Sequence, residues 1–121
     1  MDSPVDVKSQ IQKDFESLSC PNGDMRKARC SDPALNAAIQ IAREREAKAW
    51  DALEEMRASI QNSGLEYGRL DGHQRGAHMR KENDMRKKLP RLFSLAQDAT
   101  HGLVVAIHAA QAALILKARE A

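Results

Sequence analysis

Apolar residues recur at alternating intervals of three and four along two long stretches of this chain. The first stretch keeps the spacing over seven positions, with Glu46 in the one slot that lacks an apolar residue: Leu35, Ile39, Ala42, Ala49, Leu53, Met56 and Ile60. The second keeps it over eight positions, with one slot skipped between Ala96 and Leu103: Met85, Leu89, Leu92, Ala96, Leu103, Ile107, Ala110 and Leu114. This spacing places apolar side chains on one face of a helix, where they pack against another helix. The sequence therefore predicts an all-α protein built from long, paired helices.

Start and stop signals divide the chain into three to four helices. Ser3-Pro4 and Asp32-Pro33 each place a capping residue before a proline, which is typical of a first helical turn. Glycine-rich turns are expected to end helices, and Pro90, which lacks a backbone N–H, is expected to kink or break one. The predicted helices span about 4–18, 33–62, 77–89 and 91–119, with loops at about 20–31 and 63–76. Together they form a helical hairpin or bundle in a single domain, residues 1–121.

The chain has few large apolar residues, which predicts that part of its apolar surface is buried against a second copy. Of 121 residues, 19 are Ala, while Leu, Ile, Val and Phe together number 23. The segment 103–116 has only His108 and Gln111 as polar residues, so a helix there is apolar on nearly every side. Such a helix is typically buried all round. We therefore expect a homodimer whose interface includes Leu103, Ile107 and Leu114.

The stretch from Arg69 to Arg91 carries a local charge of +5 in a chain whose net charge is +2. Its most compact part is a basic patch formed by Arg80, Arg86, Lys87 and Lys88. Such a patch can bind nucleic-acid phosphates or an acidic protein surface, or it can be a solvated helix face in which Glu82 pairs with Arg86. Neither a helix-turn-helix pattern nor a zipper in the required register accompanies it. Nucleic-acid association is therefore an alternative function.

Candidate metal ligands and catalytic groups are few. Cys20, Cys30, His73 and His78 could supply two thiolates and two imidazoles, but the C-x9-C spacing is wider than in structural zinc sites. The two thiols are expected to be reduced, with a disulfide as the alternative. The sequence has no nucleophile elbow, phosphate-binding glycine loop or paired Glu-x-x-His motif. It therefore predicts a protein that is not an enzyme and that uses no metal and no cofactor.

The sequence also predicts the cellular location of the protein. It has no uninterrupted run of about eighteen apolar residues, which predicts that no helix spans a membrane. Its first residues, Met1 to Asp6, have neither the basic region nor the apolar core of a signal peptide. We therefore expect a cytoplasmic protein.

In a chain without catalytic groups, the helix faces become the candidate functional surfaces. Large side chains on an alanine-rich helix can anchor a partner protein, because they fill pockets and exclude water from the centre of an interface. The expected partner-binding residues are Trp50, Leu53, Met56 and Phe93. We expect a non-catalytic module that binds and inhibits another protein, with a secretion chaperone or adaptor as a further alternative.

In size, basic isoelectric point, alanine- and arginine-rich helices and lack of enzymatic motifs, the whole chain resembles small bacterial anti-activators of quorum sensing. Those proteins bind transcription regulators of the LuxR type and block their dimerisation or their DNA binding. The resemblance implies that the partner is a bacterial transcription regulator, and it assigns no individual site residue. Other small helical inhibitors, including phage-encoded ones, share the same general character.

Overall fold

The computed structural model describes residues 4–20 and 23–120, with side chains from residue 7 onward, and these residues are predominantly helical. The elements are α1 (Pro4–Leu18), a short 3-10 helix (Met25–Lys27), α2 (Pro33–Tyr67) and α3 (Gly72–Glu120). This described part of the chain contains no β-strand. The prediction of an all-α helical bundle is confirmed. The expected cap of α1, Ser3, lies outside the described residues.

The start of α2 is fixed by the carboxylate of Asp32. Its Oδ1 accepts hydrogen bonds from the backbone N–H groups of Ala34 (3.0 Å) and Leu35 (3.2 Å), which confirms the start signal Asp32-Pro33. Its Oδ2 pairs with Nζ of Lys117 on α3. The hydrogen bond from Lys117 lowers the pKa of Asp32, and the same bond raises the pKa of Lys117. One side chain therefore caps a helix and ties it to another.

The start of α3 carries a capping box that was not among the predicted start signals. The backbone N–H of Gln74 donates to Asp71 Oδ1 at 2.8 Å, and the backbone N–H of Asp71 donates to Gln74 Oε1 at 3.2 Å. The helix therefore begins at Gly72 and not at about residue 77. The predicted loop 63–76 shrinks to residues 68–71. The signal that could have located this start was the sequence Asp71-Gly72-His73-Gln74 itself.

Two predicted helix ends are wrong. α2 continues through Ser63-Gly64 to Tyr67, and α3 runs without interruption through Pro90. Proline removes one backbone N–H, so the carbonyl of Arg86 loses its partner within the helix. Both residues are exposed, so water can hydrogen-bond to that carbonyl while the flanking turns remain helical. The predicted helices 77–89 and 91–119 are one helix, and 33–62 extends to residue 67.

Contacts divide the chain into two compact units. The first, the three-helix unit, comprises Met1–Glu46 and Thr100–Ala121, and it contains α1, the first part of α2 and the last part of α3. The second, the hairpin unit, is Ala47–Ala99 and contains the remainder of both long helices. Each unit has its own apolar packing.

The three-helix unit has a core of small and branched side chains: Leu18, Ala28, Cys30, Ile39, Leu103, Ile107, Ala110 and Leu114. The predicted dimer-interface residues belong to this core, because Leu103, Ile107 and Leu114 are only 0, 4 and 2 % exposed. A side chain that its own chain already covers has no surface left for a second copy. The placement of these three residues in a dimer interface is therefore corrected: they are core residues.

An ion pair holds the segment between α1 and α2 against the three-helix unit. Arg26 Nε and Nη2 donate to the two carboxylate oxygens of Glu46 at 2.5 and 3.0 Å. Glu46 is 7 % exposed, so the residue that interrupts the first apolar stripe is a buried anion with a charged partner. The sequence had no signal for this pair, because its members are twenty residues apart and lie on different elements.

Two further buried charged side chains bind the backbone of the same segment. Asp14 accepts hydrogen bonds from the N–H and the hydroxyl of Ser31 at 3.0 and 2.5 Å. Arg43 Nη1 donates to the carbonyl of Ala28 at 3.0 Å, and burial lowers the pKa of its guanidinium. These bonds satisfy backbone groups that a buried irregular segment would otherwise leave unpaired.

In the hairpin unit, α2 and α3 lie antiparallel. As the contacts advance along α2 they move back along α3: the pairs are Trp50–Phe93, Ser63–His78 and Tyr67–Arg75. This register turns the two apolar stripes towards each other and buries Leu53, Ile60 and Ala96. A hairpin of two helices covers only one face of each helix, so much of its surface remains available for other contacts.

One helix also meets the minimum requirements for crossing a membrane. An 18-residue window in α3 reaches a mean hydropathy of 1.6, and 22 % of that window is buried. A single helix of this kind is weak evidence for a membrane span, because core helices of soluble proteins pass the same test. Because so little of this window is buried, much of the apolar part of α3 is exposed.

The Asp32–Lys117 pair predicts a pH-dependent stability. Because the pKa of Asp32 is lowered in the folded protein, its contribution is present above its ordinary value of 3.8 and is lost as pH falls through the folded value. Asp32→Asn keeps a capping side chain but loses the charge. We expect this variant to melt below the wild type at pH 7, with the difference vanishing in acid. Thermal melts followed by circular dichroism over a pH series test this. A difference that stays constant with pH would contradict it.

Pro90 predicts a stabilising substitution. Pro90→Ala restores a backbone hydrogen bond inside an exposed helix, and we expect the free energy of unfolding to rise by up to about 3 kcal/mol. Pro33→Ala is the matched control, because proline at the first helical position sacrifices no intrahelical bond and its replacement should be nearly neutral. Urea denaturation of both variants makes the comparison. Equal changes in the free energy of unfolding at the two positions would show that Pro90 does not destabilise α3.

Candidate partner-binding surface on the hairpin unit

An aromatic pair lies between the two helices of the hairpin unit. The rings of Trp50, from α2, and Phe93, from α3, have centroids 6.0 Å apart and planes at 87°, which is an edge-to-face arrangement. Trp50 is half-buried, whereas Phe93 is 40 % exposed. The pair therefore combines packing within the hairpin with an apolar surface that faces solvent.

The other two predicted anchors are less accessible. Leu53 is 1 % exposed and belongs to the buried seam of the hairpin, so its placement in a partner-binding surface is corrected. Met56 is half-buried beside the same seam. The heptad spacing assigns both residues to the inward face, and only the flanking positions are left for a partner.

Two arginines accompany the aromatic pair. Arg57 follows Trp50 by seven residues and Arg86 precedes Phe93 by seven, so each lies about 10 Å along its helix on the same side as its ring. Because the helices are antiparallel, both arginines lie towards the same end of the pair. We call these four residues the aromatic–arginine face. The sequence pattern did not predict Arg57, because its proximity to the aromatic pair depends on the register between the two helices.

The charges on this face are exposed and weakly paired. Arg57 Nη1 lies 2.8 Å from Glu54 Oε1, and Arg86 Nε lies 3.7 Å from Glu82 Oε2, which confirms the expected Glu82–Arg86 pair. Surface pairs within one helix contribute little stability, so either arginine can exchange its glutamate for an acidic group on a partner at little cost.

The remaining members of the predicted basic patch are also exposed. This holds for Arg80, Lys87 and Lys88, as it does for Arg86. The structure therefore leaves the whole patch open to solvent. It brings only Arg86 close in register to the aromatic pair.

A hydrogen-bonded serine and histidine lie near the turn of the hairpin. Nε2 of His78 is 2.7 Å from both the hydroxyl and the backbone carbonyl of Ser63. A carbonyl oxygen only accepts hydrogen bonds, so the network assigns the proton to Nε2 and makes it the donor. With Nε2 as the donor, the contact links α2 to α3 near the turn.

The candidate metal ligands are not brought together as a set. Cys20 and Cys30 are free thiols in the three-helix unit, whereas His73 and His78 lie in the hairpin unit. Burial raises the pKa of both thiols, which disfavours the thiolate that binds metals. Within residues 4–20 and 23–120, no three His, Cys, Asp or Glu side chains are placed to hold a metal ion.

Comparisons with protein-family models, with curated proteins and with solved structures found no match to this chain. Its function is therefore inferred from the chemistry of its own surface.

The different burial of Leu53 and Phe93 predicts different costs of truncation. Leu53→Ala removes a fully buried side chain and should lower the free energy of unfolding by about 2–5 kcal/mol. Phe93→Ala removes a part-exposed ring and should cost about 1–2 kcal/mol. Urea denaturation compares the two, and a red shift in the emission of Trp50, the single tryptophan, should accompany Phe93→Ala. Equal losses for the two variants would mean that Phe93 is a core residue.

Proposed function

We propose that this protein is a non-catalytic interaction module that binds and inhibits a partner protein through the aromatic–arginine face. The observation that carries the proposal is an exposed Phe93 backed by Trp50, with two exposed arginines at one end. Tryptophan and arginine are the residue types enriched among the side chains that dominate binding energy at protein interfaces. Among the aromatic residues in the described part of the chain, Phe93 is the one that is exposed.

The chemistry of the face specifies the partner. Phe93 requires an apolar pocket, and Arg57 and Arg86 require carboxylates next to it. The basic patch adds long-range attraction for an acidic surface, which speeds encounter more than it tightens the complex. The partner surface is therefore an apolar groove with an acidic margin.

The resemblance to quorum-sensing anti-activators supplies the partner class of the proposal: a bacterial transcription regulator of the LuxR type, bound in the cytoplasm. A DNA-reading surface is positively charged and would repel this face. The charge therefore favours docking on another surface of the regulator, where the module would block dimerisation. A secretion chaperone would use the same face on an effector protein, and identification of the partner separates these cases.

Nucleic-acid association is the second candidate, and the exposure of Arg80, Arg86, Lys87 and Lys88 is the observation that favours it. It predicts binding that depends on Lys87 and Lys88, weakens steeply with salt and is insensitive to Phe93. Aromatic platforms that would stack on bases are scarce in a chain with 3 % aromatic residues.

Partner capture followed by matched variants tests the proposal. The tagged protein is used to purify partners from a lysate of the source organism, with and without nuclease, and the affinity of the recovered partner is measured by calorimetry. We expect Phe93→Ala to weaken binding at least about tenfold, because truncating a central anchor costs more than 1 kcal/mol. Arg57→Ala and Arg86→Ala should weaken it less and reduce its salt dependence.

The control is the variant with Lys87→Glu and Lys88→Glu, which alters the basic patch but leaves the aromatic–arginine face intact. We expect it to lower the association rate and to weaken the affinity only in that proportion, by less than Phe93→Ala does. Loss of binding in this control together with full binding by Phe93→Ala would contradict the proposal. Retention that disappears with nuclease would establish the nucleic-acid alternative.

A further inference from the structure

The last part of α3 exposes a second apolar face on the side opposite its core residues. Its members repeat at intervals of three and four, and all are exposed: Gly102, Val105, Ala109, Ala112 and Leu116. Val105 and Leu116 are 51 and 58 % exposed. We call these five residues the outer seam. Its spacing is that of a helix made to pack against another helix, and it explains why so little of the apolar window of α3 is buried.

The side-chain sizes along the outer seam match those of a second seam running in the opposite direction. With a two-fold axis at Ala109, Gly102 of one copy faces Leu116 of the other, and Val105 faces Ala112. The space beside Gly102 is open, since a Cβ built there meets no atom within 4 Å. A large side chain therefore faces a gap at each end, and small residues at the centre let the helices approach closely. This self-complementarity is what a two-fold interface requires.

Charges at the two ends of the same helix face select the same direction. Asp98 lies one turn before Gly102, and Arg119 lies one turn after Leu116; both are exposed. In an antiparallel pair, each Asp98 faces the Arg119 of the other copy, so two attractive contacts form. In a parallel pair, aspartate would face aspartate and arginine would face arginine, which is unfavourable.

We infer that a second copy of this chain docks on the outer seam, antiparallel and with the two-fold axis at Ala109. The homodimer expected from the sequence is thereby assigned to the face of α3 that the chain leaves uncovered. The inference does not rest on the proposed function, because the outer seam and the aromatic–arginine face share no residue.

The mass of the protein in solution tests the docking. Sedimentation equilibrium over a concentration series should give twice 13.4 kDa for the wild type. Ala109→Glu places two carboxylates together at the axis and should reduce the mass to that of one chain, with unchanged helicity by circular dichroism. Ala118→Glu is the matched control: it makes the same change at an exposed alanine of α3 outside the outer seam and should leave the dimer intact. A monomeric wild type, or a dimeric Ala109→Glu variant, would overturn the inference.

The direction of the pair has its own test. Asp98→Arg and Arg119→Asp should each weaken the dimer, and the double variant should restore it, because the reversed charges face each other again. Under mild oxidation Ala109→Cys should form a disulfide between copies, whereas Leu116→Cys should not, since Gly102 lies opposite it. Efficient cross-linking through Leu116→Cys would establish a parallel pair and overturn the inference.

A lipid surface is the competing occupant, because the outer seam belongs to a helix with a membrane-length apolar window. Flotation with neutral phosphatidylcholine vesicles distinguishes the two. Wild-type protein that remains dimeric and unbound supports docking of a second copy. Monomeric protein that floats with the vesicles, and is released by Ala109→Glu, would overturn it.

Discussion

The ion pair between Arg26 and Glu46 is the interaction on which the three-helix unit depends. Glu46 occupies a position that the heptad pattern reserves for an apolar residue, and it is buried there. A buried carboxylate is tolerated only with a cationic partner, and removal of that partner costs more than the pair itself contributes. Arg26 lies on the short 3-10 helix, so satisfying Glu46 also fixes the segment that joins α1 to α2.

Fixing that segment completes the core. Ala28 and Cys30, which follow the 3-10 helix, are buried together with Leu18 of α1 and Ile39 of α2. Arg43 binds the carbonyl of Ala28 and Asp14 binds the N–H of Ser31, so backbone polar groups beside the buried side chains have partners. The polar and apolar contacts are therefore interdependent: the hydrogen bonds hold the segment where its apolar side chains are buried, and that burial keeps the hydrogen-bonding groups in place.

Periodicity and capping predicted much of the helical structure, and the limits of the prediction have physical reasons. Asp32-Pro33 acts through neighbouring atoms, so a local signal located the start of α2. The effect of Pro90 depends on whether its site is exposed, which the sequence does not state. In α3, two apolar faces compete for the core, and spacing alone cannot say whether Leu103 or Gly102 faces inward. The aromatic–arginine face depends on the register between two helices, which no single helix encodes.

That register is set by the length of the turn at residues 68–71. The turn is closed by backbone hydrogen bonds from Arg69 to Glu66 and from Leu70 to Tyr67, and the capping box follows at once. Insertion or deletion of one residue in the turn would rotate α3 by about 100° relative to α2, unless the turn itself changed shape to absorb it. Both helices would survive, yet Phe93 would leave Trp50. Among related sequences, a conserved number of residues in the turn between α2 and α3 would therefore be better evidence for a shared surface than a conserved residue on that surface.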